Sequence, residues 1–317
     1  MNKYEADLKI VKEDGYYLRT VKKQNYEICL QAIDNWGPAI QFIRWKTTNL
    51  SKIQRNNLCK KAVLKDGELL KYVKRQTEEI CLLAVRENPW ALKYVKRQTE
   101  RICIEAVKQW GTVLQLVKKQ TPKICLEAVK QNSFALYYVK KQFEGICMIA
   151  VKQDGFALEY VKNQTYKICL EAVKQDGESL KYVKNQTKEI CIEAVENDAR
   201  SIQYIKWDQL KLTESEVDEM HKLALTQTSR ALVFIKDKSK YIKMFNIKFS
   251  KNDRKVMAIN INGEWLFTVG CQDNITKEKF IHRIYNEGGG FDKEKGVNVH
   301  RQYYIDFLDQ FPDKKAV

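Results

Sequence analysis

Seven cysteines of this chain recur at a constant interval of 22 residues, and this repetition constrains the fold more than any other feature. The series consists of Cys59, Cys81, Cys103, Cys125, Cys147, Cys169 and Cys191. Cys29 precedes it across an eight-residue insertion, His221 follows it across another, and Asp7 holds the same position in the first unit, which makes ten units. Such a period is typical of solenoids, in which each repeat packs only on its neighbours.

Within each unit the apolar residues follow a helical period rather than the alternation of a strand. In residues 121–142, TPKICLEAVKQNSFALYYVKKQ, two apolar clusters begin at Ile124 and Ala135, with members one, four and five residues apart. Thr121 stands where an N-cap is expected before the first cluster. We therefore predict two short helices per unit. Between them, glycines should form left-handed caps, at Gly37, Gly67, Gly111, Gly155 and Gly177.

The predicted fold is mainly α: an α-solenoid of about ten two-helix repeats, each of 22 residues, over residues 1–240. The solenoid domain is interrupted by insertions near residues 45–52 and 207–214. Residues 241–317 break the period and are predicted to form a small α+β C-terminal domain or cap. There Asn262-Gly263 lies between two apolar runs, which predicts a β-hairpin with a type I′ turn.

The same pattern predicts the state of the cysteines. Neighbouring helices in such a stack lie roughly 9–10 Å apart, whereas a disulfide needs Cα atoms within about 7 Å. The thiols should therefore be reduced and buried, and without a CxxC pair no metal site and no cofactor are expected. The chain also lacks a long apolar run and, at its start, the features of a signal peptide. We expect an intracellular, cytoplasmic protein without a membrane partner.

The net charge of +16 limits the classes of partner. Residues 1–240 carry +13 of it, so the excess belongs mainly to the repeats. A basic surface suits an acidic protein or the phosphate backbone of a nucleic acid. An equally simple explanation is a lysine-rich composition that carries no function.

The recurring phrases ICLEAVKQDG and LKYVKNQT resemble an uncharacterised repeat family that is abundant in giant DNA viruses and also occurs in amoebae and other protists. The resemblance covers nearly all of residues 1–240. It implies an α-solenoid and a viral or protist source, and for a viral source a location in the host-cell cytoplasm or the virion. The family carries no assigned activity.

Two polar residue types recur once per unit, each at a fixed position of the repeat; the residues at one such position are called a column. Glutamines precede the N-cap, where we expect them to satisfy backbone groups of the turn: Gln24, Gln76, Gln98, Gln120, Gln142, Gln164 and Gln186. Lysines near the end of the second helix either stabilise that helix end or form a positive binding stripe. They are Lys22, Lys74, Lys96, Lys118, Lys140, Lys162 and Lys184.

Two further columns are interpreted as structural. Basic residues late in the first helix (Arg86, Lys108, Lys130, Lys152 and Lys174) lie three residues after Glu105, Glu127 and Glu171 in three units and should pair with them within one helix. Aromatic residues on the second helix are expected to pack in the core with the hydroxyl at its edge, rather than to stack bases. They are Phe42, Tyr72, Tyr94, Tyr138, Tyr160, Tyr182 and Tyr204.

The two insertions share the position of a tryptophan relative to the cysteine of their unit. Trp45 and Trp207 each stand 16 residues after the cysteine of their unit, and Thr213 with Glu216 predicts a capping box on a lengthened helix. Each insertion either changes the curvature of the stack or provides a docking point, since tryptophan often anchors interfaces.

We interpret the whole as a non-enzymatic interaction or scaffold protein that presents an extended basic solenoid surface to a protein partner. The candidate binding residues are the lysine column with Trp45 and Trp207. A nucleic-acid-binding solenoid is the alternative. Enzyme activity in the tail is the least favoured hypothesis; the residues of suitable chemistry there include Cys271, Asp273, His282, Arg283 and, as the candidate site, His300, Arg301 and Tyr304. Their spacing matches no known catalytic motif.

Overall fold

A computed structural model describes residues 2–247, 254–269, 272–286, 291–292, 294, 297–298 and 301–311. The chain divides into two compact units, Met1–Asn163 and Gln164–Val317. The first unit holds seven helical repeats, and the second holds three repeats followed by a small antiparallel sheet with helices. The ten predicted repeats and the mainly helical fold are confirmed. The proposed domain boundary at residue 240 stays a prediction.

Each repeat starts with an α-helix, and a side chain caps the N-terminus of every one of these helices except Glu144–Gln153, which follows Phe143. Thr99, for example, accepts a hydrogen bond from the backbone N–H of Ile102, as an N-cap hydroxyl should. Helices of neighbouring repeats pack against one another within each unit. Their bounds are Lys3–Glu13, Tyr26–Asn35, Lys52–Lys65, Glu78–Glu87, Glu100–Gln109, Pro122–Gln131, Glu144–Gln153, Tyr166–Gln175, Lys188–Asn197 and Glu214–Gln227.

The second helix of each repeat is a 3-10 helix, typically of six residues. An aspartate or asparagine begins most of these helices; Asp66, for instance, accepts from the N–H of Glu68, and this local bond favours a tight turn. The bounds are Gly15–Arg19, Gly37–Phe42, Gly67–Tyr72, Pro89–Tyr94, Gly111–Leu116, Ser133–Tyr138, Gly155–Tyr160, Gly177–Tyr182, Ala199–Tyr204 and Ser229–Phe234, with one extra turn at Trp207–Gln209.

The prediction of left-handed caps at the glycines is wrong. Among the described residues only Gly263 is a glycine with positive φ. The glycines predicted as caps instead begin a 3-10 helix. At two of them the next repeat approaches closely: a Cβ built on Gly67 would lie 2.3 Å from the carbonyl oxygen of Ala84, and one on Gly111 would lie 2.4 Å from that of Ala128. The small side chain therefore serves packing between repeats.

The core of the repeats consists of small and aliphatic side chains. In the repeat that begins at Thr121, Ile124, Cys125, Ala128 and Val129 from the α-helix are buried. All eight cysteines in the described part of the chain are free and buried, as predicted, while Cys271 lies outside it. Burial raises the pKa of Cys29 and Cys191 to about 12. These thiols therefore stay protonated and inert at neutral pH.

This burial gives a prediction for thiol chemistry. With a thiol-specific reagent at pH 8, at most one of the nine cysteines should react quickly in the native protein, because burial excludes the reagent and raises the thiol pKa values. In denaturant all nine should react at once. Rapid modification of several thiols in the folded chain would show that the column faces solvent.

The second unit ends in four antiparallel strands in sequence order: β1 (Ile242–Ile247), β2 (Arg254–Ile261), β3 (Glu264–Val269) and β4 (Gln272–Thr276). Asn262 and Gly263 have φ values of 51° and 84°, so the predicted type I′ hairpin is confirmed. Helices Lys277–Asn286 and Arg301–Leu308 complete this part, with a short strand pair at Phe291–Asp292 and Val297–Asn298. Phe267, Phe280 and Phe307 contribute to its core. No described helix is both long and apolar enough to cross a membrane.

Candidate binding clefts

The glutamine column fastens each repeat to the next. The side-chain amide of Gln98 donates to the carbonyls of Leu92 and Leu116 at 3.3 and 3.0 Å, and its oxygen accepts from the N–H of Lys118 at 2.9 Å. The same contacts recur at Gln76, Gln120, Gln142 and Gln186. The structural interpretation of this column is confirmed, since the amides occupy backbone groups and not a ligand.

The lysine column is exposed throughout, and the ammonium groups of Lys96, Lys118 and Lys162 reach the preceding repeat. Lys96 Nζ lies 2.7 Å from the carbonyl oxygen of Lys74, and Lys162 Nζ lies 3.2 Å from that of Lys140. Lys118 Nζ approaches the carbonyl of Val95 at 3.4 Å. These contacts stabilise carbonyls at the end of the preceding 3-10 helix, in keeping with the helix-end interpretation. A binding role for the column stays a prediction.

The column of basic residues in the α-helices pairs mainly between repeats. Arg86 lies 2.7 Å from Glu105 and Lys108 lies 3.5 Å from Glu127, each reaching the following repeat. The predicted pairing within one helix occurs at Lys130 and Glu127, at 3.9 Å. The partners approach because equivalent helices lie side by side, and these exposed pairs partly neutralise this face.

The aromatic column is half-buried, so the prediction of core packing is correct only in part. The fully buried positions of the 3-10 helices belong to Leu70, Leu92 and their equivalents. The rings cover this core from outside, where Lys93 Nζ lies 4.8 Å from the ring centre of Tyr94. The surface of the 3-10 helices therefore combines rings and cations.

Each insertion lengthens its α-helix to 14 residues and opens a cleft beside the tryptophan. At the first, Ser51 and Gln54 form a capping box, which adds an N-terminal turn and places Lys52 and Arg55 beside Trp45. At the second, the predicted capping box of Thr213 and Glu216 is confirmed.

The first cleft has a volume of about 610 Å³ and a strongly basic lining. Four cations surround it, and the described residues that line it include no carboxylate: Trp45, Lys52, Arg55, Asn56, Cys59, Lys74, Arg75, Gln76 and Thr77. Trp45 is half-buried, so its ring offers an apolar wall beside the charges. The structure thus brings together two of the predicted site residues, Trp45 and Lys74. Such a lining favours an anion with an apolar neighbour.

The second cleft, of about 500 Å³, has a mixed lining that includes Trp207. The ring of His221 packs edge-on against Trp207 at 5.3 Å, and its Nδ1 lies 3.3 Å from the hydroxyl of Tyr241. Tyr241 donates a short hydrogen bond to Asp218, which also pairs with Lys222. Since that hydroxyl proton is directed to Asp218, the neutral imidazole donates from Nδ1.

Desolvation by burial lowers the pKa of His221, against the attraction of Asp218. The imidazole is therefore neutral at pH 7. Burial and the hydrogen bond to Asp218 raise the pKa of Tyr241, so the phenol stays protonated. Within the described residues no cluster of three or more His, Cys, Asp or Glu could hold a metal. The His221–Tyr241 pair joins the last repeat to the start of the sheet.

Three tail residues named from the sequence make separate structural contacts in the described part of the chain. Tyr304 is 3% exposed and belongs to the core, and Arg301 lies over the ring of Tyr285 at 4.4 Å. Asp273 accepts hydrogen bonds from Ser229 and Thr228 of the last repeat. His300 and Cys271 lie outside the described residues. Tyr304 therefore packs in the core of the tail, and Asp273 docks the sheet on the last repeat.

Sequence reasoning overlooked a second amide column at the end of the α-helices. Asn35 donates to the carbonyls of Lys12 and Glu13 in the preceding repeat and accepts from the N–H of Gly15. Gln227 makes the same type of contact with Val195 and Glu196. The signal was present as an asparagine or glutamine six residues after seven of the ten cysteine-column positions, with Glu13, Lys65 and Glu87 at the other three. It marks a repeat joint and not a ligand site.

Two segments of the chain, residues 57–99 and 165–211, match a family model described as a domain of unknown function (DUF4116). Each segment spans about two repeats, so the match accords with a repeat family of unknown function. No curated protein matches the chain. No solved structure matches it either.

Proposed function

We propose that this chain is a non-enzymatic interaction module that binds an acidic segment of a protein partner in the basic cleft beside Trp45. The observation that carries the proposal is the convergence of Lys52, Arg55, Lys74 and Arg75 on one cavity with a tryptophan wall. Carboxylates of the partner pair with these cations, and an adjacent apolar side chain packs on Trp45. The helical repeats act as the scaffold that fixes this spacing.

A protein partner is favoured over a nucleic acid by the distribution of the cations. Binding along a phosphate backbone uses many evenly placed positive charges. Here several ammonium groups of the lysine column, including those of Lys96 and Lys162, already contact backbone carbonyls. The concentrated positive charge lies at the cleft, whose volume of about 610 Å³ suits a few side chains.

A pair of double variants tests this proposal. Lys74→Gln/Arg75→Gln should weaken binding of a fluorescent glutamate-rich peptide about tenfold, or 1.4 kcal/mol, because two of the four cations are lost. Lys118→Gln/Lys119→Gln alters the same positions two repeats along, away from the tryptophan, and should change binding less than twofold. Fluorescence anisotropy at fixed salt provides the measurement.

The outcomes separate the hypotheses. Equal losses for both double variants would indicate a distributed basic stripe and contradict a discrete cleft. A single-stranded oligonucleotide that binds more tightly than the peptide, with affinity falling steeply as salt rises, would establish the nucleic-acid alternative instead. No peptide binding by the unmodified chain at low salt would refute the proposal.

A further inference from the structure

A small aromatic cleft lies on the 3-10 helices of the first unit, separate from the basic cleft. It has a volume of about 290 Å³ and is lined by Thr112, Phe134, Tyr137, Tyr138 and Tyr160. Tyr137 is 63% exposed and Phe134 is 39% exposed. The ring of Tyr137 lies 5.0 Å from that of Tyr138 and 5.4 Å from that of Tyr160, both edge to face. None of the five lining side chains carries a charge.

The other repeats of this chain show what occupies the equivalent place. The position before the column tyrosine is a lysine in three repeats, and there the ammonium lies over the ring that follows: Lys71 over Tyr72 at 5.2 Å, Lys93 over Tyr94 at 4.8 Å and Lys181 over Tyr182 at 4.9 Å. In the repeat of the cleft, Tyr137 replaces this lysine. The cleft therefore combines the ring of Tyr138 with an additional ring where three of the other repeats supply a cation.

We infer that this cleft binds a lysine ammonium group, free or N-methylated, from another polypeptide. Ring faces attract cations through their negative quadrupole, and several rings around one cation act together. The contacts of Lys71, Lys93 and Lys181 with their tyrosine rings are examples of the same interaction within this chain. Since the lining is uncharged and the chain carries +16, repulsion opposes this binding, and salt should strengthen it slightly by screening. The basic cleft should respond to salt in the opposite direction.

The first test uses choline and its neutral isostere 3,3-dimethylbutan-1-ol as probes, observed by saturation-transfer NMR on the full chain. Choline should bind at least five times more tightly, because only the cation is attracted to ring faces. Equal binding of the two probes would show a merely apolar cleft and overturn the inference.

Two substitutions copied from sister repeats locate the site. Tyr137→Lys, which reproduces Lys93 beside Tyr94, should fill the cleft with the chain's own ammonium and weaken choline binding about tenfold. Tyr138→Leu, which copies Leu116, should weaken it comparably by removing a ring face. Tyr137→Phe keeps the ring and should stay within twofold. Circular dichroism checks the fold, and unchanged binding in both of the first two variants would refute the assignment.

The source of the ammonium group is tested separately. Short acetylated peptides containing lysine or trimethyl-lysine should bind, whereas the same peptide with norleucine should not. Binding to phosphatidylcholine vesicles that depends on Tyr137, without binding of either cationic peptide, would replace the polypeptide with a lipid headgroup and overturn the inference as stated.

Discussion

Replacing Gln98 with leucine should lower the free energy of unfolding of the first unit by about 3 kcal/mol. The substitution removes one side chain that satisfies two carbonyls and one N–H at the joint of two repeats. The two carbonyls would lose their partner in half-buried places, at roughly 1 kcal/mol or more each, and the N–H of Lys118 would lose its partner in an exposed place. The lost hydrogen bonds join two neighbouring repeats, and the stability of a repeat array depends on such contacts. Urea denaturation followed by far-ultraviolet circular dichroism measures it.

A matched control lies in the adjacent repeat. Gln115 is exposed and contacts only the carbonyl of Thr112 in its own 3-10 helix among the contacts described. Gln115→Leu should therefore change the stability by about 0.5 kcal/mol or less. Comparable effects of the two substitutions would show that the glutamine column does not hold the repeats together.

Replacing Asp273 with alanine should detach strand β4 from the last repeat at a cost of about 3 kcal/mol, since hydrogen bonds to charged groups contribute roughly 1.5–3 kcal/mol each. Asp273 accepts from the N–H and hydroxyl of Ser229 and from the hydroxyls of Thr228 and Thr268. Hydrogen exchange of residues 264–269 and 272–276 should then accelerate strongly, while exchange in the repeats of the first unit should stay unchanged. Equal protection in the variant would contradict the docking role.

The same carboxylate should make this contact acid-sensitive. Desolvation acts to raise the pKa of Asp273, but the hydrogen bonds from Ser229, Thr228 and Thr268 outweigh it, so the pKa lies below its usual value. Because the folded pKa is depressed, the stabilisation is present above the unfolded value of about 3.9 and is lost as the pH falls through the folded value. The exchange difference between Asp273→Ala and the unmodified chain should therefore be full at pH 7 and shrink below about pH 4.

The sequence was most informative where one residue type recurs. Gln98 and Cys103 could be assigned to turn and core because the same types return at the equivalent position of most repeats. It was less informative about the second helix, since six residues do not distinguish α from 3-10 geometry by periodicity. The glycines were misjudged for a related reason: a small residue after a helix suits both a left-handed cap and a close approach of the next repeat.

The sequence alone therefore determined the period, the number of repeats and the burial of the cysteines, because these depend on local pattern and on contacts with identical neighbours. The tertiary structure decided which side chains of neighbouring repeats contact one another. Arg86 meets Glu105 across a separation of 19 residues, Trp45 meets Lys74 and Arg75 in one cleft, and Tyr137 meets Tyr160. These contacts depend on the displacement and rotation of each repeat relative to the next. That packing geometry cannot be derived from the residue spacing within a single repeat.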